Sequence, residues 1–168
     1  SRGLGDVYKR QDLIRPLDDL VKKHGKGLKK NQLITIDGKI MAVAFMANAQ
    51  HLVYRKDILK KLNIDVPKTY EDMLAAAKKI RTSGLVKNPV GGAYKAGWNL
   101  AQEFNNMFIG YGGSHFKGNS AIPNVNSDAG IKALKMMKSL SEYMNPDFLT
   151  HDSNATNAEF RAGNVAIM

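Results

Sequence analysis

LITIDGKIMAVAFMANAQHLVYRKDILKKLNIDVPKTYED, residues 33–72, carries more structural instruction per residue than any other part of this 168-residue chain. Two apolar runs, 33–36 and 39–45, flank Asp37-Gly38, a dipeptide that accepts the positive φ angles of a two-residue hairpin turn. A hairpin is predicted, with Ile34, Ile36, Ile40 and Val43 among its buried positions. Small residues at 47–49 then lead into a short apolar strand at 52–54, which Lys56-Asp57 ends by opening a helix that runs to Leu62. Pro67, Lys68 and Thr69 set up a second helix. Thr69 can cap it, Glu71 and Asp72 place negative charge at the positive end of its dipole, and helix formers continue to Thr82.

Before this stretch, residues 12–23 read as a short helix with Pro16 in its first turn, ended by Gly25 and Gly27. Residues 1–11, SRGLGDVYKRQ, have no amphipathic period and resemble a translated adaptor leader, so they are set aside as non-native. After it, 90–97 reads as a strand whose paired glycines, Gly91-Gly92, mark a close approach of backbone to something else. A helix over 98–111 follows, ended by Gly112-Gly113. Asn126 can cap a long helix with apolar positions Ile131, Leu134, Met137, Leu140 and Met144, which Asn145-Pro146 breaks. A short helix over 157–161 and a strand over 165–168 complete the chain. Strands alternating with helices predict an α/β layer with a mostly parallel sheet. A strand that runs to the last residue reads as a piece of a longer chain, with more expected on both sides.

Composition excludes little and permits much. With 43% apolar and 24% charged residues, the chain has enough of both for one folded core. No apolar run approaches the roughly 20 residues of a membrane span. The absence of cysteine removes disulfides, thiolate zinc ligands and a thiol nucleophile. The four histidines, His24, His51, His115 and His151, have no metal-ligand spacing. No GxSxG elbow, phosphate-binding loop or dinucleotide fingerprint is present. A net charge of +10 raises a nucleic-acid reading, but the lysines fall as pairs on helix faces, where they solvate the surface, and cluster only over 22–30.

The order and spacing of three phrases resemble the family 1 extracellular solute-binding proteins of ABC importers, the maltose-binding-like type. The phrases are Asp37-Gly38-Lys39-Ile40, Leu52-Val53-Tyr54-Arg55-Lys56-Asp57 and Pro67-Lys68-Thr69-Tyr70-Glu71-Asp72. Gly112-Gly113 before an aromatic turn, and Phe160, Gly163, Ala166 and Met168 near the end, agree with it. Ala44 stands where many members carry proline. The resemblance implies an α/β periplasmic-binding-protein-like fold, type II and two-lobed, in an incomplete chain covering the end of lobe 1 and much of lobe 2. Residues 12–46 would belong to the first lobe, 47–50 to the hinge crossing, and 51–168 to the second lobe.

The same resemblance places candidate solute contacts. Asn48 sits in the crossing with Gln50 and His51 beside it, and Trp98 opens the helix after the glycine-rich strand with Asn99, Gln102 and Glu103 on its first turns. Tyr94 can reach the same junction. Sugars offer apolar C–H faces to aromatic rings and hydroxyls to planar amides, which is the chemistry these residue types supply. Each has a plainer reading: Trp98 as a core plug, Asn48 as a backbone cap at the hinge, His51 as structural, Glu103 as solvated. The expected function is non-enzymatic binding of a sugar or polyol in an interlobe cleft, by a monomer without cofactor, for delivery to importer permease subunits at the periplasmic or extracellular face. A basic nucleic-acid-associated module and an α/β enzyme lacking its catalytic half are the alternatives, and polyamine or peptide cargo stays open within the first reading.

Overall fold

The computed structural model describes residues 14–46, 49–118 and 120–168. The chain divides into two units, Ser1–Ala49 and Gln50–Met168. The proposed leader and Asn48 lie outside the described residues.

In the first unit, helix α1 (Asp18–His24) begins later than the 12–23 expectation. Pro16 disfavours helical geometry at Arg15, and the Leu17 N–H is spent on the Ile40 carbonyl at 2.7 Å. Strands β1 (Leu33–Ile36) and β2 (Lys39–Val43) form the expected antiparallel hairpin, and both turn residues take positive φ, 49° at Asp37 and 74° at Gly38. The register shifts between Ile34 and Thr35, which leaves Met41 as the extra residue of a bulge. The bulge turns Met41 inward, so it is the buried hairpin residue, while Ile34, Ile36, Ile40 and Val43 are only half-buried.

The second unit contains α2 (Lys56–Lys61), α3 (Tyr70–Thr82), α4 (Trp98–Gly110), α5 (Asp128–Ser141) and α6 (Ser153–Arg161). Thr69 caps α3 as expected: its hydroxyl accepts the Asp72 N–H at 3.0 Å, and the Asp72 carboxylate accepts the Lys68 and Thr69 N–H groups at 3.1 Å. Those backbone donors, Lys68 first, hold the Asp72 carboxyl below its ordinary range. Two caps differ from expectation. Ser127, not Asn126, accepts from the first turn of α5, through Gly130 N–H at 3.4 Å. Asp152 caps α6 through the Asn154 and Ala155 N–H groups, both at 3.0 Å, so this helix starts at Ser153 and not at Asn157.

The core of this unit lies between α3, α4 and α5, through Met73, Ala77, Ile80, Phe108, Ala133 and Leu140. Ala77 and Ala133 have no exposed surface, and such small side chains let helix backbones approach closely. The buried stripe of α5 runs through Gly130, Ala133, Met137 and Leu140. Ile131 and Leu134, expected on the same stripe, are displaced onto solvent, 48% and 58% exposed.

The expected mostly parallel sheet is a ribbon of three short extended segments, 53–55, 166–168 and 89–91. Ile167 sits in the middle, antiparallel to Tyr54 and parallel to Val90. The segment after Val90 does not continue as a strand to Gly97. A side chain at Gly91 would lie 3.0 Å from Thr156 Cγ2 and Val165 Cγ1, and one at Gly92 2.6 Å from Met144 Cε, so the glycines let the chain press against α6 and the core. Lys95 N–H then turns to the His151 carbonyl at 2.9 Å. No helix among the described residues is long and apolar enough to cross a membrane.

Candidate functional site

The hydrogen-bond directions of the ribbon decide which residues meet. Val90 and Ile167 run parallel, so their segments leave at the same end, and the antiparallel Tyr54 segment enters there. Val53 and Met168 exchange both backbone bonds, at 2.8 and 2.9 Å, at that end. In open α/β sheets the carboxyl ends of parallel strands are where ligands bind. Gln50 and His51, exposed just before the entering segment, and the 93–98 turn, just after the leaving one, therefore belong to one end of the second unit.

Trp98 is the first residue of α4 and is 77% exposed, which rules out a core plug. An indole left this open loses the burial that normally accompanies so large an apolar surface. Gln102 lies one turn further on the same side and is exposed too, so an aromatic face and a planar amide are presented together. Asn105 continues the row and lies 3.0 Å from His115 Nε2. Asn99 is turned elsewhere, its carboxamide oxygen accepting the Ser153 N–H at 3.3 Å.

Tyr94 is not on this face. It is 5% exposed, packs edge-on to Phe148 with ring centroids 5.7 Å apart, and donates its hydroxyl to the Met137 carbonyl at 3.4 Å. Desolvation, with the nearby Glu103 charge, pushes its phenol well above the ordinary range. Glu103 is half-buried and accepts the Ala93 N–H at 3.1 Å. Burial raises its carboxyl above the usual value, and the Ala93 bond only partly offsets this.

Sequence reasoning missed the third contributor to this end, residues 151–153. His151 holds Lys95 through its carbonyl, Ser153 holds Asn99, and Asp152 lies 3.9 Å from Lys95 Nζ. That ion pair is exposed and contributes little by itself. The signal was present in Asp152-Ser153-Asn154, a run of good cap residues at the start of α6.

An open cavity of about 620 Å³ lies at the other end of the 89–91 segment, lined in part by Arg81, Lys87, Glu142 and Phe148. Its guanidinium is already committed, with Nε donating to the Lys87 carbonyl at 3.0 Å and Cζ 4.3 Å above the Tyr143 ring. Among the described residues no group of three or more His, Cys, Asp or Glu is arranged to hold a metal ion.

A probable ABC transporter-binding protein of Deinococcus radiodurans is 30% identical over 156 residues, which is 88% of this chain and 36% of that protein. A solute-binding protein of an ABC transporter from Agrobacterium radiobacter, solved with ribitol, superposes with a TM-score of 0.77 at 28% identity, over 96% of this chain and 42% of that one. A second, from Agrobacterium vitis with bound D-mannitol, gives a TM-score of 0.70 at 26% identity, over 96% and 40%. These structures share the α/β two-lobed periplasmic-binding fold expected from the sequence. The chain spans between 19% and 36% of the length of four curated relatives that it matches. The model of the family described as bacterial extracellular solute-binding protein matches residues 4–168, and the chain belongs to that family.

Proposed function

We propose that the protein of which this chain is part binds a sugar or polyol without chemical change and passes it, as a monomer, to the permease of an ABC importer at the periplasmic or extracellular face. The observation that carries this reading is the exposed Trp98 indole at the start of α4, paired with the Gln102 amide at the sheet end that also holds Gln50 and His51. An aromatic face with a planar amide beside it suits a ring or chain that is apolar on its C–H side and hydroxylated at its edge. The relatives solved with ribitol and D-mannitol support a polyhydroxylated solute. Asn48 and the crossing at 47–50 remain part of the proposal, as the connection about which a two-lobed protein would close on its cargo.

The test is titration of the tryptophan emission with monosaccharides, oligosaccharides, polyols, polyamines and short nucleic acids. Trp98 is the only tryptophan, so any change reports on it directly. A saturable response confined to one polyhydroxylated class is expected, and Trp98→Ala should weaken binding, followed by calorimetry, by about tenfold or more. Binding that Trp98→Ala leaves unchanged removes the indole from the site. A response to nucleic acid alone, vanishing in salt, would make the +10 charge the determinant and overturn the solute-binding reading.

A further inference from the structure

We propose that Glu103 is a positioning residue for Trp98, its inward carboxylate fixing the backbone turn on which the indole is carried. The inference rests on the reading of Trp98 as a solute contact, but its first observable needs no solute. Trp98 lies midway along the loop from Ala93 to Glu103, and the Ala93 N–H to Glu103 carboxylate bond at 3.1 Å closes that loop. Within the closed loop, Leu100 N–H donates to the Lys95 carbonyl at 3.2 Å and Ala101 N–H to the Gly97 carbonyl at 3.1 Å. The helix has no side-chain cap, because Gly97 precedes it with φ of 103°. Its first turn is therefore located by backbone bonds to the leading segment and by one side-chain tie to it, which Glu103 supplies.

The chemistry of the tie is specific. Ala93 is buried, so water is a poor replacement for the carboxylate at its N–H. A half-buried carboxylate with a raised pKa is a costly way to accept one hydrogen bond, and it persists where the bond it makes has a use. Glutamine at the same place keeps a carbonyl oxygen of the same reach and removes the charge. Alanine removes the acceptor and leaves the buried N–H to find another partner by moving the turn.

The experiment uses the full chain and reads the single tryptophan by anisotropy decay and acrylamide quenching with no solute present, in the parent protein, Glu103→Ala, Glu103→Asp and Glu103→Gln. Loss of the acceptor should raise indole local mobility and quenching by about twofold in the alanine and aspartate variants, and glutamine should restore both. Solute affinity should fall about tenfold in the same two variants and recover in the third. The aspartate variant keeps the test alive if the alanine one does not fold. Unchanged tryptophan dynamics in a folded alanine or aspartate variant would overturn the proposal, as would a glutamine variant that fails like alanine. If no solute acts on the parent protein, the functional reading falls, while the dynamics still decide the role of Glu103.

Discussion

Helices α4 and α5 pack against each other, have nearly the same length, and each leaves large apolar side chains in solvent: Trp98 and Ile109 on one, Ile131 and Leu134 on the other. Exposure alone does not separate them. On α5 the exposed aliphatics stand among Lys132, Lys135 and Lys138, and the neighbours that approach there meet a lysine: Lys132 Nζ lies 3.7 Å from the Glu71 carboxylate and 4.3 Å above the Tyr111 ring. On α4 the exposed indole sits beside an amide row, on a turn closed on itself by the Ala93–Glu103 bond and tied at Lys95 and Asn99 to residues 151 and 153. Preorganisation of the surrounding backbone, and not apolar area, is what distinguishes the α4 end and favours it as the proposed solute contact.

The contrast can be broken most forcefully from the shared interior. Phe108 has no exposed surface, stacks on Phe104 with centroids 5.5 Å apart and meets His115 edge-on at 5.4 Å. Phe108→Ala should cost about 3–5 kcal/mol in denaturant unfolding, affecting both helices together. A midpoint shift much smaller than this would mean that α4 and α5 do not share one core. A smaller effect separates the two helix starts. Ser127→Ala removes the hydroxyl that accepts from Gly130 and should cost about 0.5–1 kcal/mol, read in the same way, while α4 has no corresponding side chain to lose. The smallest change is expected on the open face of α5. Leu134→Gln should alter stability by less than about 0.5 kcal/mol and leave solute binding unchanged. A clear loss of binding there would place a second contact surface on α5 and undo the contrast.

Those differences also explain what was legible in the residues. The Asp37-Gly38 turn and the Thr69–Asp72 cap were readable because a few adjacent residues determine them through their own backbone angles and donors. The start of α6 was equally local, through the Asp152 cap, and was overlooked, whereas the approach of Asp152 to Lys95 depends on the fold and could not be read. Periodicity placed Ile131 and Leu134 on the apolar stripe, but the neighbouring helix selected Gly130 and Ala133 instead, since close packing rewards small side chains. Tyr94 illustrates the same limit at the site: the resemblance put it near the junction, and the direction of its ring was set by Phe148 and the Met137 carbonyl, distant in sequence. Trp98 was found as a candidate, yet its openness is a tertiary fact.

The central place of Ile167 in the ribbon has a kinetic consequence. Segments 53–55 and 89–91 do not pair with each other, and each waits for 166–168. Helical turns can form early from local contacts, but both ribbon pairings require large loops to close around one shared segment, and such closures are slow. Residues 166–168 thus serve as one clasp for two segments distant from it in sequence, and opening it would leave both strand edges unjoined at once.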